Sequence, residues 1–223
     1  MYPPEFVPAS SSRAPVIINN LFQHKTPREN HGTLGIWASL SIWLATEIKT
    51  QNMTDQVVAY GHSRYGKTAL LAAAFSDNID GAIAHQSGTG GASLLRDDKG
   101  ESIQQVLENY PHWFSSKFSE FAANENTLPI DAHNLLALIA PRPVLLGNAR
   151  RDVWSDPAGA FNAARAANSA WGNHGLNANR LDEFRPDDSL SFWLRPGTHG
   201  IVKEDWPAFL DFMDAHFGHD QKR

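Results

Sequence analysis

Cysteine is absent from all 223 residues of the chain. The protein therefore has no disulfide bond, no thiolate nucleophile and no cysteine-ligated metal, and cysteine usage indicates no redox compartment. An excess of positive charge is also missing, because 19 lysines and arginines stand against 24 aspartates and glutamates. A net charge of −5 provides no basic surface for a polyanion, so we expect no nucleic-acid partner.

Long apolar runs are missing as well, and no stretch reaches the roughly 20 residues that a membrane-spanning helix needs. The opening residues MYPPEF contain neither the basic nor the apolar part of a secretory signal. We therefore expect a chain with no membrane partner and no signal peptide, whose cellular location stays unknown from the residues alone.

The chain does contain enough apolar material for a sizeable core, since 42% of its residues are hydrophobic. We expect a single domain over residues 1–223, with residues 1–32 as an irregular arm. Strand and helix patterns alternate beyond the arm, which predicts an α/β fold with a mostly parallel sheet flanked by helices. The predicted strands are Pro15–Ile18, Gln56–Tyr60, Gly81–Gln86, Pro143–Gly147 and Leu190–Leu194. The predicted helices begin near Leu34, Thr68, Asp131 and Pro157, and a terminal helix contains Trp206.

Ser63 stands where the strand Gln56–Tyr60 gives way to a helical run that begins near Thr68. A serine on such a corner exposes its hydroxyl beside the amides of a helix N-terminus, which suits attack on an ester carbonyl. The common pattern is G-x-S-x-G, but Tyr65 occupies the place of the second glycine and Gly66 follows it. The alternative is that Ser63 only caps the helix.

Ser63, Asp152 and His199 each follow a predicted strand, in the chain order that an α/β-hydrolase uses for its triad. His199 then serves as the base and Asp152 orients its imidazole. Asp156 competes with Asp152, but its place directly before Pro157 is typical of a helix N-cap. We therefore expect Asp152 to be the acid.

The stretch GHSRYGK at 61–67 resembles the G-x-S-R-x-G-K signature of the glucuronoyl esterases, carbohydrate esterase family 15, in which the second glycine is shifted in the same way. Further blocks resemble bacterial-type members of this family in the same order along the chain. They are SGTGG at 87–91, YPHWF at 110–114, DAH at 131–133, LALIAPRP at 136–143 and DVW at 152–154. The resemblance extends over roughly residues 34–217.

The resemblance implies an α/β-hydrolase fold and a serine esterase that hydrolyses esters of (4-O-methyl-)glucuronic acid, as in lignin–glucuronoxylan cross-links. It implies no metal and no cofactor. Fungal-type members carry the triad acid directly before the Ser-Gly pair, where this chain has Gln86. A neutral amide is no anion, so the acid is again expected at Asp152.

Four more residues receive roles from the resemblance. Arg64 is implied to stabilise the oxyanion, Lys67 to bind a sugar hydroxyl and Trp154 to stack on the sugar. A surface lysine and an ordinary core tryptophan are the alternatives for the last two. A uronate contact is expected in the segment before the aromatic block, and Glu108 is our choice among Glu101, Gln104, Gln105 and Glu108.

The chain departs from the family at its N-terminus, because only about thirty residues precede the helix at Leu34. This implies an N-terminally shortened protein in which the N-terminal strands of the sheet are partly missing. We expect either that the chain keeps the triad on an incomplete scaffold or that the arm replaces the missing edge. Sheet surface exposed by the loss favours a homo-oligomer. The alternatives in function are an acetyl-xylan or other carbohydrate esterase, and a truncated, non-catalytic carbohydrate-binding remnant. Family members are usually secreted or periplasmic.

Overall fold

Four parallel strands form the sheet of the protein, whose computed structural model describes residues 31–96 and 98–218. The strands lie side by side in chain order. They are β1 (Val58–His62), β2 (Gly81–His85), β3 (Val144–Ala149) and β4 (Leu190–Arg195).

The described residues contain six α-helices, some of which form the crossovers that parallel strands need. They are α1 (Gly32–Thr50), α2 (Arg64–Ala74), α3 (Ile103–Asn109), α4 (Ala132–Ala137), α5 (Pro157–Ala167) and α6 (Asp205–Phe217). Short 3₁₀ helices occur at Ser116–Phe121, Glu125–Thr127, Val153–Ser155 and Asn168–His174. No helix among the described residues is long and apolar enough to cross a membrane.

The strand register aligns the carboxyl ends of all four strands. His62 pairs with His85, His85 with Gly147, and Gly147 with Trp193. The loops after β1, β3 and β4 therefore leave the sheet along one edge, which is where ligands bind in open α/β sheets.

Two apolar layers bury the faces of the sheet. On one face, Leu70 of α2 and Leu146 of β3 belong to the larger cluster and are fully buried. On the other face, Phe212 of α6 packs with Leu145 and is also fully buried. Burial of each such side chain stabilises the fold by about 1.5–3 kcal/mol. The sheet therefore holds the loops at its edge in place.

The predicted α/β-hydrolase fold is confirmed, with differences at the element ends. β1 begins and ends two residues later than expected, because its backbone pairs with β2 from Val58↔Gly81 to His62↔His85. The predicted strand Pro15–Ile18 and the arm up to residue 30 lie outside the described residues. The helix expected from Leu34 already begins at Gly32, so the end of the predicted arm is helical.

Candidate active site

A cavity of about 310 Å³ opens at the carboxyl ends of the strands. Its lining includes six of the seven residues that the sequence singles out, namely Ser63, Arg64, Lys67, Asp152, Trp154 and His199. Glu108 is not among the lining residues; it is exposed on α3, where its Oε1 accepts a 2.8 Å hydrogen bond from Gln104. Three parallel strands and their loops thus bring together residues that are up to 136 positions apart, counted from 63 to 199.

Ser63 occupies a strained corner between β1 and α2. Its φ of 57° and ψ of −124° are unusual for a residue with a side chain, and such a conformation costs on the order of 1–3 kcal/mol. Its N–H donates to the His85 carbonyl at 2.8 Å, which holds the corner against β2. Its hydroxyl makes no capping bond to α2, so the helix-cap alternative does not account for this serine.

The two glycines around Ser63 explain the shifted motif. A Cβ on Gly61 would lie 2.0 Å from the carbonyl oxygen of Tyr65, and one on Gly66 would lie 3.0 Å from the Cβ of Ser87. The backbone of the turn after Ser63 thus comes closest to the loop after β2 at position 66, and not at position 65. Position 65 can therefore carry a tyrosine side chain, which accounts for the departure from G-x-S-x-G.

His199 and Asp152 form a close pair, with 2.7 Å between Nδ1 and Oδ2. Burial alone would raise the pKa of the Asp152 carboxyl, but hydrogen bonds from His199 and Ser155 outweigh it and lower that pKa. Asp152 is therefore an anion that holds Nδ1 protonated and leaves Nε2 as the basic nitrogen. Asp156 instead caps α5 by accepting from the Gly159 N–H at 2.9 Å, as predicted.

A buried ion pair that sequence reasoning missed shapes the loop carrying His199. The Nε of Arg195 donates to Asp205 at 2.8 Å, and both side chains are almost fully buried. The same guanidinium donates to the carbonyl oxygens of Thr198 and Gly200, which flank the histidine. Because five N–H donors radiate from one plane, Arg195 fixes several points of this loop at once.

Lys67 is buried beneath the cavity rather than solvated. Its Nζ donates to the carbonyl oxygens of Ser87 at 2.5 Å and Thr89 at 2.6 Å. Burial lowers the pKa of Lys67 to about 8. An ammonium has three N–H groups, so one remains for a bound molecule beyond these two bonds.

Arg64 lies over two stacked aromatic rings. Its guanidinium carbon is 5.0 Å from the ring centroid of Trp113 and 5.7 Å from that of Tyr110, and the two rings lie 3.8 Å apart at 3°. Such cation–π contacts hold the guanidinium in one region without neutralising its charge. Trp113, which the sequence left without a role, is buried here as the support of Arg64.

Glu101 lines the cavity where Glu108 was expected. Its N–H donates to the Trp154 carbonyl at 3.0 Å, which places it beside the half-exposed indole. The pKa of its carboxyl is raised, because burial outweighs the opposing effects of Lys67 and of hydrogen bonds from Asn109 and Trp154. Oε1 of Glu101 has no hydrogen-bond partner among the described residues.

Comparisons with known proteins identify the family of the chain. A family model described as "Glucuronyl esterase, fungi" matches residues 20–175. A curated "Carbohydrate esterase MZ0003" from an unknown prokaryotic organism is 38% identical over 192 residues, which are 83% of this chain and 44% of that protein. A "4-O-methyl-glucuronoyl methylesterase" from Phanerochaete carnosa is 36% identical over 56% of this chain and 33% of its own length.

Solved structures show the same relationship. A promiscuous CE15 esterase from a marine bacterial metagenome has a TM-score of 0.87 and 34% identity, covering 97% of this chain and 57% of that one. A glucuronoyl esterase from Solibacter usitatus has a TM-score of 0.88 and 30% identity, covering 97% and 58%. The chain thus spans less than half the length of these curated relatives and less than two thirds of these structures. With the family model matching more than half of the chain, the protein belongs to the glucuronoyl esterase family, CE15.

Proposed function

We propose that the protein is a serine esterase that hydrolyses esters of (4-O-methyl-)glucuronic acid, with the lignin–glucuronoxylan ester as its natural substrate. The observation that carries the proposal is the placement of a strained Ser63 and the His199–Asp152 pair around one cavity. The relative from Phanerochaete carnosa is a 4-O-methyl-glucuronoyl methylesterase, which supports this substrate class.

In the proposed reaction, the Ser63 hydroxyl attacks the ester carbonyl while Nε2 of His199 takes its proton. The carbon–oxygen bond to the alcohol then breaks, and His199 returns the proton to the departing oxygen. Water attacks the resulting acyl-serine by the same proton path and releases the uronic acid. Asp152 stabilises the imidazolium without taking the proton itself.

Arg64 is proposed to stabilise the oxyanion of the tetrahedral intermediates. Its charge is permanent, and the rings of Tyr110 and Trp113 restrict where it lies. A preorganised cation costs no reorganisation when the negative charge develops, so its benefit falls on turnover rather than on substrate binding.

The sugar is proposed to lie between Lys67 and Trp154. The third N–H of Lys67 donates to a sugar hydroxyl, and the indole of Trp154 packs on the apolar face of the ring. The uronate contact expected at Glu108 is proposed for Glu101 instead, because Glu101 lines the cavity and Glu108 does not.

Hydrolysis of benzyl glucuronate by the purified protein tests the proposal, with acetylated xylose as the competing substrate. Release of benzyl alcohol without release of acetate is expected, because Lys67 and Glu101 recognise a sugar on the acyl side. Preference for the acetylated sugar would support the acetyl esterase alternative. Failure of a serine-directed phosphonate to label Ser63 in folded protein would support the non-catalytic alternative.

We also propose that a second copy of the chain associates along β1. Within residues 31–96 and 98–218, β1 pairs with β2 alone and is an edge of the sheet. A groove of about 570 Å³ with an apolar lining from α1 and β1 lies beside it, and Tyr60 and Trp206 expose about half of their surface next to it. Unprotected edges with apolar neighbours favour strand pairing between chains.

Light scattering after size exclusion tests this association. A dimer is expected for the wild type, and Tyr60→Lys is expected to shift it to the monomer because a lysine on an edge strand opposes pairing. A wild type that elutes as a monomer over its whole soluble concentration range would overturn the proposal.

A further inference from the structure

The side-chain amide of Gln86 holds both neighbours of His199. Oε1 accepts from the Gly200 N–H at 2.9 Å, and Nε2 donates to the Thr198 carbonyl at 3.2 Å. Gln86 follows β2 and is almost fully buried, with 1% of its surface exposed. The histidine is thus bracketed by two bonds from one side chain that lies more than a hundred positions earlier in the chain.

The same amide also reaches the residue directly before Ser63. Nε2 of His62 lies 2.9 Å from Oε1 of Gln86. The orientation of the amide is set by its backbone partners, because the N–H of Gly200 can only donate and the carbonyl of Thr198 can only accept. Oε1 is therefore an acceptor, and His62 must carry its proton on Nε2.

The backbone of Gln86 is held in place by hydrogen bonds of its N–H and its carbonyl. Its N–H donates to the Gly147 carbonyl of β3 at 2.7 Å, and its carbonyl accepts from the Ser155 hydroxyl at 3.3 Å. Its φ of 50° is left-handed, a conformation that a residue with a side chain keeps only when its surroundings determine it.

We propose that Gln86 is a positioning residue that sets the distance between the nucleophile Ser63 and the base His199. It does so by tying the His199 loop to His62 on the nucleophile's strand. The proposal rests on the proposed function, since it assumes that Ser63 and His199 react together. Gln86 takes no part in the proton transfers, because a neutral amide neither gains nor loses a proton at ordinary pH.

Gln86→Met tests the tie, because methionine keeps the length of the side chain and removes all three hydrogen bonds. We expect kcat for benzyl glucuronate to fall about 10- to 100-fold, the range that a misplacement near 1 Å produces, while KM changes less than about threefold. The hydrogen-bond partners of this amide are His62, Thr198 and Gly200, and not Lys67 or Trp154, which are proposed to bind the sugar, so KM is spared. Gln56→Met, at an exposed glutamine near the other end of β1, is the matched control and is expected to match the wild type.

The rate of phosphonate labelling at Ser63 separates this proposal from the substrate assignment. Labelling needs the activated serine but no uronate, so a wild type that labels and does not cleave benzyl glucuronate contradicts only the substrate. Gln86→Met is expected to label about 10- to 100-fold more slowly than wild type. Equal labelling rates in folded Gln86→Met and wild type would overturn the positioning role.

Imidazole ¹⁵N spectra of the wild type provide a readout that needs neither activity nor a folded variant. His62 is expected to show the Nε2–H tautomer, and a predominant Nδ1–H tautomer would overturn the tie. If Gln86→Met does not fold, His62→Phe replaces it, because it removes only the donor to Gln86. That variant is expected to label Ser63 about threefold to tenfold more slowly, the effect of one hydrogen bond, and an unchanged rate would contradict the tie to the nucleophile's strand.

Discussion

Nδ1 of His199 lies 2.7 Å from Oδ2 of Asp152, with the carboxylate buried and the imidazole partly exposed to the cavity. This contact fixes one tautomer of the ring and leaves Nε2 as the nitrogen that can accept a proton. The proposed acid thus follows β3, while Gln86 after β2 bonds the loop of the histidine.

Asp152→Asn is expected to lower kcat about a thousandfold or more, because the amide no longer holds the ring in the required tautomer. Asp156→Asn is the matched control, since asparagine caps a helix as well as aspartate does. Its turnover is expected to stay close to that of the wild type. Equal activity of Asp152→Asn and wild type would show that another group supports His199.

Lys67 predicts a pH-dependent KM. Its pKa of about 8 means that the ammonium is present below that pH and is lost above it. A neutral amine has two N–H groups, both of which are used by the carbonyls of Ser87 and Thr89, so none remains for the sugar. We expect KM for benzyl glucuronate to rise as the pH passes from 7 through about 8 to 9.5.

Lys67→Met serves as the control for this titration. It is expected to show a high KM that does not change over the same pH range, with circular dichroism confirming that the variant is folded. A wild-type KM that stays constant up to pH 9.5, after correction for alkaline hydrolysis of the ester, would contradict the role of Lys67.

Trp154 and Trp113 are expected to respond oppositely to alanine substitution. Trp154 is half exposed, so Trp154→Ala should change stability by less than about 0.5 kcal/mol and raise KM roughly 2- to 10-fold through lost stacking. Trp113 is 3% exposed, so Trp113→Ala should cost about 3–5 kcal/mol of unfolding free energy. Urea titration and steady-state kinetics on both variants measure these effects. A larger loss of stability in Trp154→Ala than in Trp113→Ala would contradict the two assignments.

The Arg195–Asp205 pair is expected to matter for stability more than any surface ion pair. Asp205→Asn leaves a buried guanidinium without its counter-charge and should cost about 3–5 kcal/mol. Asp182→Asn, at the exposed pair with Arg150, should change stability by less than about 0.5 kcal/mol. Similar urea midpoints for the two variants would contradict this assignment.

The sequence was sufficient for the fold class and for six of the fourteen residues that line the cavity. Local patterns indicated the three proposed triad residues, and the family resemblance indicated the other three. A parallel sheet follows from alternating strand and helix signals, and the register of β1 to β4 then places the residues after the strands at one edge. Asp156 was separable from Asp152 for the same reason, since helix capping is a local property.

Contacts between distant segments were not predictable in this way. The sequence favours Glu108 over Glu101, but Glu108 lies on α3 with its side chain exposed, and Glu101 lies before that helix and lines the cavity. In the sequence, Gln86 only marks the place where fungal-type members carry the triad acid. In the structure, its side-chain amide forms hydrogen bonds to residues that are 112 and 114 positions away. No spacing rule reports such pairs, because their meeting depends on the lengths and directions of loops.

The kcat/KM of purified wild type and of Ser63→Ala for benzyl glucuronate tests most directly whether Ser63 is the nucleophile of a uronate esterase. We expect clear hydrolysis by the wild type and a loss of about 10⁴-fold or more in Ser63→Ala, since no other group in the cavity replaces an activated serine. Comparable hydrolysis by the two proteins, or none by a folded wild type that cleaves acetylated xylose instead, would contradict it.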